Sequence, residues 1–147
     1  MTKSLITTFW ALIIVFIIIL CQFFIPVIGE LIRGFPLFLM PFALFSFLGV
    51  LLVFLTFKQK VVGKLKIYLL LTGVSAVSFF LFVILHNVFY ALAEISENII
   101  ILKYIMNFFE VIFFLTAIIV CPLIFLIGSI KIILSFIKKD NFRKVEK

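Results

Sequence analysis

Residues 67–93 read IYLLLTGVSAVSFFLFVILHNVFYALA, an apolar run without aspartate, glutamate, lysine or arginine. A helix needs about 20 predominantly apolar residues to cross the roughly 30 Å hydrocarbon core of a bilayer. Every backbone polar group must find a partner there, and a helix provides one within its own segment. Strands of a membrane barrel would instead alternate apolar and polar residues over about ten positions. The run therefore predicts a transmembrane helix.

Three further apolar blocks flank this one along the 147-residue chain. Hydrophobic residues make up 67% of the sequence and the mean hydropathy is +1.48, more apolar surface than a water-soluble fold of this length can bury. The predicted fold class is an all-α integral membrane protein, with four transmembrane helices in one compact bundle. The predicted spans are approximately 5–28, 35–57, 67–93 and 103–131, and a basic tail occupies 132–147.

Basic residues fall almost entirely on one side of the four predicted spans. With a cytoplasmic N-terminus, all of the 13 lysines and arginines except Arg33 and Lys103 lie on the cytoplasmic side. By the positive-inside rule, both termini and the 58–66 loop are predicted to be cytoplasmic. The first block is longer than the apolar core of a secretory signal, so we expect it to be retained. The expected location is the cell membrane, as a multi-pass protein.

The net charge of +7 does not indicate nucleic-acid binding. Its lysines lie in one short loop and a short tail, whereas a nucleic-acid site needs a folded basic face or an arm. Basic residues at a membrane surface attract anionic lipid by about 1 kcal/mol each. The lipid bilayer is thus the first expected partner, and the predicted headgroup anchors are Lys58, Lys60, Lys64, Lys66, Lys138 and Lys139.

Small and polar residues in the third and fourth blocks recur at alternating spacings of three and four, which places them on one face of each helix. Helices in lipid associate through close approach of such small side chains. A hairpin that turns near Asn98 would set Phe82 opposite Phe114 and His86 opposite Glu110. The predicted seam contains Thr72, Ser75, Ala117, Cys121, Ile124 and Gly128.

A narrower face of small residues in the second block is predicted to pack against the third helix. It consists of Ala43, Ser46, Gly49 and Val50. Pro41 suits the first turn of the second helix, where a missing backbone donor costs least. Gly63 is expected to supply the turn of the cytoplasmic loop, and Pro122 to bend the fourth helix.

His86 and Glu110 are the main candidate site, with three alternatives open. They could form an interhelical pair that fixes the hairpin, line an outward-facing polar pocket, or simply face the membrane interface. A histidine beside a carboxylate can exchange a proton near neutral pH, as a proton-coupled carrier would require. The pocket alternative would add Asn87, Tyr90, Glu94 and Asn107, together with Gln22, Glu30 and Arg33.

Chemical signatures of catalysis are missing from the sequence. It has one histidine, two cysteines at unrelated membrane depths, no glycine-rich phosphate loop and no metal-ligand spacing, so we expect no enzyme, no cofactor and no metal. No motif selects one family among four-span membrane proteins. Two functions remain: assembly with copies of itself or a larger membrane complex, or a small transporter or channel centred on His86 and Glu110.

Overall fold

The computed structural model describes residues 3–24, 39–96 and 98–145, and these residues are almost entirely helical. The helices are α1 (Lys3–Phe24), α2 (Met40–Lys58), α3 (Gly63–Ile95), α4 (Ile100–Leu115) and α5 (Cys121–Val145), with one π-helical turn at Thr116–Val120 between the last two. Four helical segments of the described chain are long and apolar enough to cross a membrane: Lys3–Gln22, Met40–Lys58, Gly63–Ile95 and Ile100–Ile137.

The helix bounds differ from the predicted spans mainly at the third and fourth blocks. Helix α3 begins at Gly63, four residues before the predicted start, because Gly63 adopts a φ of +72° that few other residues tolerate. The predicted outer break near Asn98 is correct, since α3 ends at Ile95 and α4 begins at Ile100. The helix that contains the fourth predicted span runs on through the basic tail to Val145. Pro41 lies in the first turn of α2, as predicted.

Helix α3 is the centre of the bundle, where it packs against α2, α4 and α5, while α1 packs against α2. The buried face of α2 has spacings of three and four, as an antiparallel helix seam requires. The predicted small face of α2 was wrong at Ala43 and Val50, which are exposed because the larger apolar side chains turn inward. The buried α2 residues are Phe42, Phe45, Gly49, Leu52 and Thr56.

Two glycine contacts bring helix backbones close together. A Cβ on Gly49 would lie 2.8 Å from the carbonyl oxygen of Gly73, so α2 and α3 cross at this point without side chains between them. A Cβ on Gly128 would overlap the Thr72 hydroxyl and lie 3.2 Å from the carbonyl oxygen of Tyr68, which fixes the α3–α5 crossing. Small residues at helix contacts are the usual means of close packing in lipid.

Phenylalanine rings meet between α1, α2, α3 and α5. The ring centroids of Phe16 and Phe125 lie 4.6 Å apart, and those of Phe45 and Phe125 lie 5.1 Å apart. Phe45 also contacts Phe79 edge-on at 6.2 Å. Such ring pairs contribute about 0.5–1.5 kcal/mol each beyond the area they bury. We call Phe16, Phe45, Phe79 and Phe125 the aromatic core.

A π turn interrupts the fourth helical segment just before Cys121. Its closing bond runs from the Cys121 N–H to the Thr116 carbonyl, five residues back, so the turn holds more residues than an α-helical turn. The prediction that Ile124 lies in the seam was wrong, since Ile124 is exposed and the neighbouring Phe125 is buried. The buried face of α5 continues through Gly128 and Ile132.

Candidate functional site

His86 of α3 and Glu110 of α4 face each other across the outer part of the hairpin. The His86 Nδ1 atom lies 3.7 Å from Glu110 Oε1, and both side chains are partly covered, with 27% and 21% exposed. The same nitrogen lies 3.4 Å from the backbone carbonyl oxygen of Glu110. An Nδ1–H group in this position can donate to the backbone carbonyl, and a protonated His86 would form an ion pair with the Glu110 carboxylate. The arrangement links the two helices at one defined level.

Aromatic rings continue the contact between α3 and α4 on both sides of this pair. His86 packs against Phe114 with ring centroids 5.1 Å apart. The predicted opposition of Phe82 and Phe114 was wrong by one residue, since Phe82 stacks on Phe113 at 5.9 Å. Phe89 contacts Phe113 at 5.1 Å. These rings and the His86–Glu110 pair hold α4 against α3.

The structure does not gather the other residues of the predicted polar pocket around His86 and Glu110. The Asn87 side-chain amide donates to the Val83 carbonyl of its own helix at 2.7 Å and is exposed. Tyr90 and Glu94 are exposed, and Asn107 is half-buried. Gln22 is buried at the end of α1, while Glu30 and Arg33 lie outside the described residues. Of this predicted set, the described part of the chain brings His86 and Glu110 into direct contact.

The predicted seam residues Thr72, Ser75, Ala117, Cys121 and Gly128 are all buried. The Thr72 hydroxyl donates to the Tyr68 carbonyl at 2.9 Å, and the Ser75 hydroxyl donates to the Thr72 carbonyl at 3.0 Å. The Thr72 and Ser75 hydroxyls therefore have their hydrogen-bond partners within α3. These residues contribute to the contact with neighbouring helices through their small size. The seam residues are structural in this arrangement.

Apart from Lys103 of α4, the described basic residues gather at one end of the bundle. The Gln59 side-chain amide donates to the Ser4 hydroxyl at 3.4 Å, and Phe9 contacts Phe136 at 6.1 Å, so the start of α1, the end of α2 and the far part of α5 lie together. The predicted anchors Lys58, Lys60, Lys64 and Lys66 occupy this end, whereas the side chains of Lys138 and Lys139 lie outside the description. The Nζ atoms of Lys58 and Lys66 lie over the rings of Phe54 and Phe57.

Two apolar cavities adjoin the site and share Phe79 and Ile118 in their walls. The smaller, about 220 Å³, lies between α2 and the α3–α4 hairpin, and His86 is part of its wall. The larger, about 390 Å³, lies between α1, α2, α3 and α5, and its lining includes all four rings of the aromatic core together with Ser75 and Cys121. Sequence analysis missed both cavities, although the alternation of phenylalanine with Ser75, Ala117 and Cys121 was a visible signal.

The described part of the chain shows no grouping of metal-ligating side chains. Within residues 3–24, 39–96 and 98–145, no three His, Cys, Asp or Glu side chains are grouped closely enough to hold a metal ion. The expectation that the protein uses no cofactor stays a prediction.

Comparison with known proteins adds no relative from which a function could be transferred. The chain matches no protein-family model, no curated protein sequence and no solved structure. Its function must be argued from its own residues.

Proposed function

We propose that this chain is a four-span protein of the cell membrane, with both termini in the cytoplasm, that acts without catalysis by assembling with copies of itself or with a larger membrane complex. The observation that carries this proposal is the exposure of α4. No residue of this 16-residue apolar helix is buried, although α1, α2 and α3 each bury one face. Within the described chain, α4 packs against α3 and the π turn that follows it.

The lengths of α3 and of the fourth helical segment support a role for the outer end of the hairpin. Helix α3 has 33 residues and is therefore about 50 Å long, whereas the hydrocarbon core is about 30 Å thick. Counting about 20 residues from Lys66 or back from Lys131 reaches the level of His86 and Glu110 on each helix. Residues beyond this level, which we call the outer hairpin (87–109), extend about 14 Å farther.

Apolar side chains cover the outer hairpin where it extends past the hydrocarbon level. Ile95, Ile100, Ile101 and Tyr104 are each at least 70% exposed. An exposed apolar patch outside lipid marks a contact surface for another protein. This surface is therefore the one through which we propose that assembly occurs.

The orientation of the protein can be tested by labelling single cysteines. We expect Gln59→Cys, in a protein with Cys21 and Cys121 replaced by alanine, to react with an impermeant maleimide only from the cytoplasmic side. Ser96→Cys, at the other end of the bundle, should react only from the outside. The reason is the basic end of the bundle, which the positive-inside rule keeps in the cytoplasm. Equal labelling of both cysteines from one side would contradict the four-span arrangement.

The assembly role predicts that a charge on the outer hairpin disperses the complex without unfolding the protein. We expect Ile100→Glu and Ile101→Glu to lower the apparent mass in native electrophoresis. They should also lower the number of bleaching steps in single-molecule photobleaching in nanodiscs. Both side chains point away from α3, so helix content by circular dichroism should not change. Val62→Glu, at an equally exposed position of the cytoplasmic turn, is the matched control and should leave the assembled state intact.

The outcome also separates the two kinds of assembly. Oligomers in purified protein indicate self-association, while a monomer that is recovered with a larger complex only from native membranes indicates a different partner. A monomer in both settings, with or without the added charge, would rule out the assembly role.

The transporter alternative is favoured by one observation, that His86 lines a cavity while contacting Glu110. We expect His86→Ala to destabilise the protein by about 0.6 kcal/mol, the average for interhelical hydrogen bonds in membranes, and Glu110→Gln to cost less, because it keeps the backbone carbonyl that lies 3.4 Å from Nδ1. Asn87→Ala is the control, because that amide bonds only to its own helix. Proton or solute flux in liposomes that disappears in both variants while stability is kept would instead establish transport.

A further inference from the structure

An open apolar groove of about 450 Å³ follows the contact between α2 and α3. Valines and phenylalanines line it, among them Val50, Phe54 and Phe57 of α2 and Val74 and Val77 of α3. The first four of these residues leave more than half of their surface exposed. We call this surface the α2–α3 groove.

The floor of the groove lies where α2 and α3 touch at glycines. Gly49 and Gly73 bring the two backbones together at this crossing. Val53 and Val77, which both line the groove, have methyl groups within 3.2 Å of the positions that Cβ atoms on Gly73 and Gly49 would take. Backbone contact fixes the distance between the two helices here, so the groove cannot close by a movement of side chains.

Two lysines lie at the basic end of the groove. Lys58 Nζ is 5.8 Å from the centroid of the Phe54 ring, and Lys66 Nζ is 5.2 Å from the centroid of the Phe57 ring. Both rings line the groove, so these contacts place both ammonium groups beside it. An ammonium group over the face of an aromatic ring is attracted to that ring. The two long side chains are therefore held at the groove.

The segments that form the groove carry positive charge without negative charge. From residue 31 to residue 93 the sequence contains no aspartate or glutamate, whereas residues 58–66 contain four lysines. Lysine binds phosphate as a point charge. A phosphate group is also the anion that glycerophospholipids present at the surface of a bilayer. The charge at this end of the groove therefore fits the headgroup of an anionic phospholipid.

The length of the groove fits an acyl chain of one leaflet. Val50 lies seven residues before Phe57, so the groove follows α2 for about 10 Å from the basic end. One half of the hydrocarbon core is about 15 Å thick. A phospholipid whose phosphate lies at the level of Lys58 would place an acyl chain along this whole distance. The groove and the lysines thus match the two parts of one lipid molecule in the right order.

We propose that the α2–α3 groove binds one anionic glycerophospholipid of the cytoplasmic leaflet. One acyl chain lies against the valines, and the phosphate accepts hydrogen bonds from the ammonium groups of Lys58 and Lys66. This site goes beyond the general attraction of basic residues to a membrane surface, because it is saturable and assigns the phosphate to two lysines of the loop. The inference rests on the proposed membrane insertion, with the basic end in the cytoplasm, but not on assembly.

The first test counts the lipids that the full-length protein retains. Protein in a nonionic detergent is titrated with phosphatidylglycerol or with phosphatidylcholine of the same acyl chains, and native mass spectrometry resolves the bound states. One phosphatidylglycerol should bind about tenfold more tightly than phosphatidylcholine, and the double variant Lys58→Gln/Lys66→Gln should lose this preference. Equal binding of the two lipids by the unaltered protein would overturn the proposal.

The matched control is the double variant Lys60→Gln/Lys64→Gln. It removes the same charge from the same loop, at two exposed positions. A lipid held at the groove should still be preferred by this variant. Equal losses of preference in the two double variants would show a diffuse attraction to the whole loop and would also overturn the proposal.

A second pair of variants tests the groove itself. In nanodiscs, phosphatidylglycerol with a diazirine in one acyl chain should label Val53 and Val74 more strongly than Ile14, an exposed residue of α1. Val50→Trp fills the groove from an exposed position and should remove this excess. Leu44→Trp is the control, because Leu44 is also exposed but lies about 120° around α2 from Val50. Labelling that is unchanged in Val50→Trp, or equal at Ile14 and in the groove, would contradict the site.

Failure of this proposal can be told apart from failure of the proposed function. The outer-hairpin variants Ile100→Glu and Ile101→Glu lie at the other end of the bundle, so they should leave the lipid preference unchanged. Loss of assembly with an intact lipid preference would leave the lipid site standing. A protein that assembles but binds both lipids equally would leave the assembly role standing.

Discussion

Replacing Gly128 with alanine is expected to destabilise the protein by about 1–3 kcal/mol, the usual cost of overpacking a tight helix contact. The added Cβ would overlap the Thr72 hydroxyl and lie 3.2 Å from both the Thr72 nitrogen and the Tyr68 carbonyl oxygen. Two of these three atoms belong to the backbone of α3 and cannot move aside as a side chain could. Helix α5 must therefore shift away from α3 as a whole. Unfolding by sodium dodecyl sulfate in mixed micelles, followed by circular dichroism, measures the loss.

The matched control for this prediction is Ala91→Val on the exposed face of α3, which also enlarges a small residue in a helix. Its unfolding midpoint should move little. Gly128→Val should be at least as destabilising as Gly128→Ala, because the clash already begins at Cβ. A Gly128→Ala protein as stable as the parent would mean that α3 and α5 are not packed at this distance.

Replacing Phe125 with alanine is expected to have the largest effect of a truncation in the bundle. Phe125 is 2% exposed and its ring contacts Phe16 and Phe45, so its removal leaves a void where α1, α2 and α5 meet. Truncations of this kind in protein cores cost about 3–5 kcal/mol. We expect the same denaturant titration to show a midpoint far below that of the parent protein.

Phe54→Ala is the control for the truncation, because Phe54 lies on the exposed side of α2. The same number of atoms is removed, but no internal void forms. Equal losses of stability in the two variants would show that Phe125 acts through its bulk apolarity rather than through its position in the aromatic core.

Sequence patterns predicted the features of the fold that depend on local composition. Residues 67–93 were sufficient to locate a long apolar helix, and the turn near Asn98 followed from the polar residues around it. Glycine at 63 and proline at 41 have backbone preferences that can be stated without a structure. These features need no knowledge of neighbouring helices, which explains why one sequence is enough to predict them.

Features that depend on the fit between helices were harder to predict. The α2 face was misjudged because small size was taken as the mark of a contact, whereas Phe42 and Phe45 turn inward and Ala43 faces out. Ile124 was misplaced because the helical period allows either 124 or 125 between Cys121 and Gly128, and the larger ring of Phe125 takes the buried position. The two cavities arise from the mutual placement of large rings, which spacing along one chain does not specify.

The π turn at Thr116–Val120 also makes the fourth helical segment mechanically uneven. Pro122 follows directly and has no N–H to donate to the Ile118 carbonyl, so the regular bonding pattern is interrupted at the rim of the larger cavity. A helix with interrupted hydrogen bonds at one point bends there more easily than elsewhere. A force that a bound partner exerts on α4 would therefore move Ile118 first. This movement would change the distance between Ile118 and Phe24, which both line the larger cavity.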